Sequence, residues 1–140
     1  MNDGMPSIYT FSEDINNAEA PKPLPQGSYR AVIKSAAPHV AKSGSEKKSA
    51  KVQFFVDSAQ YPADYTDGNP DGTLLDYYVS MEDNPMSRYM LKSFCAAIGA
   101  PMSRSIDVSQ WIGMEATVKV VHEEYEGVMR HKLDRKVQAA

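Results

Sequence analysis

The chain has 140 residues, 42% of them hydrophobic, and a formal net charge of -3. A chain of this length buries roughly two thirds of its unfolded surface around one core, which leaves no room for a second domain. No run approaches the roughly 18 apolar residues of a membrane helix, residues 1–20 lack the pattern of a secretory leader, and the single cysteine, Cys95, excludes an internal disulfide or a multi-thiolate zinc site. A cytoplasmic protein without a structural metal is the expectation.

An acidic total argues against a nucleic-acid partner, because phosphate binding rests on Lys and Arg displacing counterions. The charge is segregated, however. Arg30, Lys34, Lys42, Lys47, Lys48 and Lys51 face a single acid in that interval, Glu46, and Arg130, Lys132, Arg135 and Lys136 surround only Asp134. Residues 57–83 carry Asp57, Asp64, Asp67, Asp71, Asp76, Glu82 and Asp83 and no Lys or Arg. A basic groove can therefore coexist with a negative sum.

Residues 1–25 are polar, acidic and end in a proline-rich run, Pro21-Lys22-Pro23-Leu24-Pro25, which predicts a flexible arm. A folded domain is expected over 26–137, with 138–140 a short tail. Residues 28–35 alternate, Tyr29, Ala31 and Ile33 inward and Arg30, Val32 and Lys34 outward, as a half-buried strand does. After the Lys/Ser/Gly loop, residues 50–56 repeat the pattern with Val52, Phe54 and Val56 inward and Lys51, Gln53 and Phe55 outward. Gly, Pro and Asp in 61–72 supply turns, and a third strand follows over 73–80.

Asn84 can cap a helix with Pro85 in its first turn, and Met86, Met90, Leu91, Phe94 and Ile98 recur at helical spacing until Gly99 ends it. A single helical turn over 107–112 would bury Trp111. Two strands close the chain, 114–123 and 128–137, joined by a turn at Gly127. Three strands, one helix and two strands match a mainly β fold, the five-stranded OB-fold Greek-key barrel with one α-helix between strands three and four.

The run Leu24-Pro25-Gln26-Gly27-Ser28-Tyr29-Arg30-Ala31-Val32-Ile33, then Lys42-Ser43-Gly44 and Val52-Gln53-Phe54-Phe55-Val56, resembles a family of phage proteins first catalogued as a domain of unknown function. Phe94-Cys95-Ala96-Ala97-Ile98-Gly99, the stretch 107–113 and Val120-Val121-His122-Glu123-Glu124-Tyr125-Glu126-Gly127 are similar to its later landmarks. The resemblance spans residues 24–137 and implies an OB-fold single-stranded-DNA-binding protein of phage replication, which would work in the host cell cytoplasm. The matching motifs are turn glycines and strand patterns, so they bear on fold more than on activity.

An OB barrel holds oligonucleotides across strands two and three, between the loops joining strands one to two and four to five. Lys42, Lys47, Lys48 and Lys51, with Arg30 and Lys34, are the expected phosphate contacts there, and Arg130, Lys132 and Lys136 extend them at even spacing along the last strand. Phe55 and Tyr78 are the expected stacking platforms, with Tyr61, Tyr65 and Tyr125 as lesser candidates. A solvated lysine loop and aromatics packed against the arm or a second subunit are the plainer alternatives.

Asp67-Gly68-Asn69-Pro70-Asp71-Gly72 matches half of a calcium loop, but Tyr78 stands where a bidentate Glu is needed. His39, His122 and His131 lack ligand spacing, and no base lies near Cys95 in sequence. The expected function is sequence-independent single-stranded-DNA binding in replication or recombination, with no catalysis and no cofactor. The alternative is a protein-protein interaction module whose arm holds replication or recombination proteins. A homo-oligomer is compatible with either, and a nuclease would need carboxylates clustered around a metal.

Overall fold

Strand alternation is realised as one antiparallel sheet of five strands in the computed structural model, which describes residues 6–20, 22–40 and 47–140. The strands are β1 (Gly27–His39), β2 (Ser49–Val56), β3 (Thr73–Ser80), β4 (Glu115–Tyr125) and β5 (Val128–Leu133), hydrogen-bonded in the order β3-β2-β1-β4-β5. One helix, α1 (Pro85–Ile98), lies between β3 and β4. Among the described residues no helix is long and apolar enough to cross a membrane.

β1 is longer than the alternation predicted, and the reason is a bulge. Its first half pairs with β4 from Gly27↔Val120 to Val32↔Glu115, and its second half pairs with β2 from Val32↔Phe55 to His39↔Ser49. The register shifts between Ile33 and Ser35, so Lys34 is an extra residue and the side-chain phase inverts. Ile33 and then Ala36 are buried, whereas strict alternation would have buried Ser35. The strand therefore continues to His39 through a stretch that carried no period-2 signal.

α1 runs as its sequence predicts. The Asn84 side chain accepts the Ser87 N–H at 2.9 Å, Pro85 opens the first turn, and Gly99 ends the helix at φ 76°, a conformation that favours glycine. Phe94, Cys95 and Ile98 pack from α1 onto the inner sheet face of Ile33, Val52, Phe54, Val118 and Val120. Trp111 is buried beside Phe94, with ring centroids 5.1 Å apart, in the 3-10 turn Val108–Trp111 that Asp107 caps.

β5 is shorter than expected. The chain leaves the ladder after Leu133, so Lys136 is not on the strand, and only an isolated bridge, Thr117↔Gln138, returns to the sheet. Val137, which suggested a longer strand, packs against the core from coil. The outer strands β3 and β5 approach one another without a ladder between them, so the sheet is not closed by hydrogen bonds. The Tyr77 hydroxyl donates to the Arg135 carbonyl across that seam.

The packed structure also reaches into the proline-rich run. Leu24 is fully buried, its N–H donates to His131 Nδ1 at 2.9 Å, and its carbonyl accepts from His122 Nε2 at 2.8 Å. His122 and His131 are cross-strand partners in the β4–β5 ladder. Two imidazoles thus satisfy the backbone of a residue whose proline neighbours prevent it from joining a strand.

Candidate nucleic-acid interface

The outward face of β1, β2 and β3 is assembled by the register in four rows. His39, Ser49 and Ser80 form the first, then Ala37, Lys51 and Tyr78, then Ser35, Gln53 and Asp76, then Val32, Phe55 and Leu74. The bulged Lys34 joins the last row, its ammonium 4.9 Å from the centroid of the Phe55 ring. The His39 ring lies against Tyr78 at a centroid distance of 4.9 Å. Cations and aromatic rings therefore alternate across one surface.

A polar chain crosses the middle of that surface. The Ser35 hydroxyl donates to Gln53 Oε1 at 3.0 Å, Gln53 Nε2 donates to Asp76 Oδ1 at 3.0 Å, and Lys51 Nζ stands 3.7 Å from Asp76 Oδ2. Asp76 thus takes up part of the charge that Lys51 would offer an anion. Both groups are well exposed, so the pair is weak and a competing phosphate can displace it.

The expected phosphate contacts do not form one cluster. Lys34, Lys51, Phe55 and Tyr78 share the face just described. Arg30 projects from the β1–β4 half opposite Thr117, its backbone held on both sides by the Gln60 amide. Lys47 and Lys48 lead into β2, where the Lys48 N–H donates to Glu82 Oε1 at 3.1 Å and its carbonyl accepts from Met81. Lys42 lies outside the described residues.

Arg130 and Lys132 sit on the β4–β5 hairpin with an acid between them. Lys132 Nζ is 3.0 Å from Glu123 Oε2, and Arg130 lies 4.3 Å over the Tyr125 ring. Lys132 nonetheless reaches the aromatic face, because a groove along the β3–β5 seam is lined by Leu74, Asp76, Tyr78, Met90, Lys132 and Arg135.

Tyr61 is committed to its own loop and Tyr65 to the proline-rich run. Tyr61 Oη bonds the Asn69 carbonyl at 2.9 Å and Thr73 Oγ1 at 2.7 Å, Tyr65 Oη donates to the Lys22 carbonyl at 3.0 Å, and the rings meet edge to face. Phe55 is held from beneath, since a Cβ on Gly72 would fall 2.3 Å from its ring. In the half-calcium motif, Asn69 Oδ1 accepts the Asp71 N–H at 2.9 Å, an ordinary Asx turn.

Burial sets the titration of three groups nearby. Desolvation, with His122 adding to it, holds His131 below its ordinary range. Burial raises the Tyr77 hydroxyl, with Asp134 beside it, and burial alone raises the Cys95 thiol. Each is thereby kept neutral, as suits groups that pack rather than react.

His39, Gln53 and Asp76 belong to the face and were not among the contacts expected from the sequence. Asp76 and Gln53 stand in the outward phase of their strands and were legible from alternation. His39 was not, because the Lys34 bulge resets the count before it. No protein-family model matches the chain, and a search of curated proteins returns no match.

Proposed function

We propose that this protein binds single-stranded DNA without sequence preference and holds it without chemistry, as an OB-fold protein of phage replication or recombination. The carrying observation is the β1–β2–β3 face, where Lys34 with Phe55 and Lys51 with Tyr78 and His39 set charge beside flat rings. Such pairing suits a strand whose phosphates and unpaired bases are presented together. The OB reading is supported by the bulged β1 shared between two halves, the helix between β3 and β4, and the proximity of β3 to β5.

A fluorescence titration with an oligothymidine tests this reading. Binding at low salt that weakens steeply at moderate salt supports it, and no binding at either salt rejects it.

One observation favours the second reading, a protein-binding module. α1 exposes Met86, Tyr89 and Met90, the last two on the rim of the same seam, more apolar surface than a nucleic acid requires. Lys34→Glu with Lys51→Glu, both on the face that carries the first reading, separates the two. Under the first reading the unaltered chain is retained on immobilised single-stranded DNA and the variant is not, whereas under the second neither is retained.

A further inference from the structure

We propose that the N-terminal arm of one copy of this chain docks in the seam groove of a second copy, joining molecules head to tail. Two unsatisfied surfaces carry this inference, and they belong to different parts of the same molecule. It does not depend on nucleic acid.

The first surface is the arm. Ile8, Tyr9, Phe11 and Ile15 are 79%, 79%, 66% and 69% exposed, an apolar density that solvated arms do not ordinarily carry. Residues 6–20 also hold Glu13, Asp14 and Glu19 and no Lys or Arg. Asp14 caps a 3-10 turn at Ile15–Asn17, so part of the segment has local order before any partner arrives. An acidic, aromatic peptide of this kind seeks an apolar channel with a basic edge.

The second surface is such a channel. Between β3, α1 and the chain after β5, Tyr78, Tyr89 and Met90 form an apolar wall, and Arg135 and Lys136 form the opposite rim. Among the described residues neither of those two side chains makes an ion pair. Glu13 and Asp14 are the complementary charges, and Tyr9 and Phe11 supply rings for the wall.

The arm is held on its own molecule at Leu24, clamped by His122 and His131, and at Lys22, whose carbonyl accepts from Tyr65, and none of its residues lines this groove. Exposure of both surfaces in one molecule is what contact between molecules would relieve. Because arm and groove are different patches, one-way docking is heterologous and repeats into an open row or a ring, whereas reciprocal exchange of arms closes a two-fold dimer.

Sedimentation velocity without nucleic acid tests the proposal. The full chain should sediment faster as its concentration rises. Tyr9→Ser with Phe11→Ser and Ile15→Ser should remain monomeric, and these positions are exposed, so the core is not at risk. Glu13→Lys with Asp14→Lys, and separately Arg135→Glu with Lys136→Glu, should each stay monomeric alone, whereas mixing the two variants should restore a complex. A full chain that is monomeric throughout, association that survives the arm substitutions, or a mixture that fails to assemble would each overturn it.

Discussion

The Lys34 ammonium caps the Phe55 ring at 4.9 Å from its centroid, a contact that exists because the β1 bulge adds one residue and turns Lys34 toward β2. A base stacking on Phe55 must share that ring with the cation, and the displaced ammonium is then beside a phosphate. Replacing Lys34 by Met keeps the aliphatic stem and removes the charge. Oligothymidine binding should weaken, and the slope of log K against log salt should become shallower by about 0.7, one phosphate neutralised on a single strand.

Tyr78 is half exposed, braced by His39, and free on its outer side. Tyr78→Ala should cost about 1 to 3 kcal/mol of oligonucleotide affinity, the worth of one stacked base, and should leave the salt slope unchanged. A parallel loss of slope would mean that the ring positions a cation instead. Equilibrium titrations at three salt concentrations distinguish the two.

Asp76 stands 3.7 Å from the Lys51 ammonium, so under the proposed function it would oppose binding of a phosphate there. Asp76→Asn preserves an acceptor for the Gln53 amide while freeing the ammonium, so affinity for single-stranded DNA should rise and the salt slope should steepen by about 0.7. Unchanged affinity in the same titration would place Lys51 outside the bound strand's path.

His131 accepts the Leu24 N–H at Nδ1, which requires the neutral ring with its proton on Nε2. Its folded-state value lies below the ordinary 6.5, from desolvation first and His122 second. The unfolded chain therefore binds the proton more readily. The stabilisation is complete above about 6.5 and is lost as pH falls through that value toward the lowered one. Thermal unfolding should move to lower temperature between pH 7.5 and pH 5.5, and the Leu24 amide should lose protection relative to its intrinsic exchange rate at each pH. His131→Phe should abolish this component of the pH dependence while lowering stability at both values, since the buried N–H loses its acceptor.

Gly72 sits at φ 100°, and a Cβ there would press on the Phe55 ring from 2.3 Å. Gly72→Ala should destabilise the fold by about 1 to 3 kcal/mol through backbone strain and should also push Phe55 off its seat. Urea unfolding measures the first effect. A loss of DNA affinity beyond that of the Lys34→Met variant reports the second.

Most of the fold was legible because its signals were local. Asn84, Pro85 and Gly99 state where α1 begins and ends, and the inward series Val52, Phe54, Val56 fixes β2 without help from distant residues. What alternation could not announce was the insertion at Lys34, since a bulge is defined by a partner strand and leaves no mark of its own. The end of β5 failed for a related reason: Val137 is partly buried by tertiary packing and so imitated a strand residue. At the site, Lys34, Lys51, Phe55 and Tyr78 came from the outward phase of their strands, whereas Asp76 was counted only with the acids of 57–83 although its place between Leu74 and Tyr78 put it on the face. Leu24 was hidden by composition, because prolines on either side describe an exposed chain and say nothing of two histidines waiting for its amide.

β1 is the only strand that touches both halves of the sheet, and its two partners emerge from synthesis at very different moments. The β2–β3 pair can dock on it early, but the Gln26 side chain waits for the backbone of His122, 96 residues further on. A nascent chain therefore leaves the ribosome tunnel with one margin of β1 unpaired until β4 has followed it out. That margin is where a chaperone would be needed, and where neighbouring chains on a crowded polysome would first stick together.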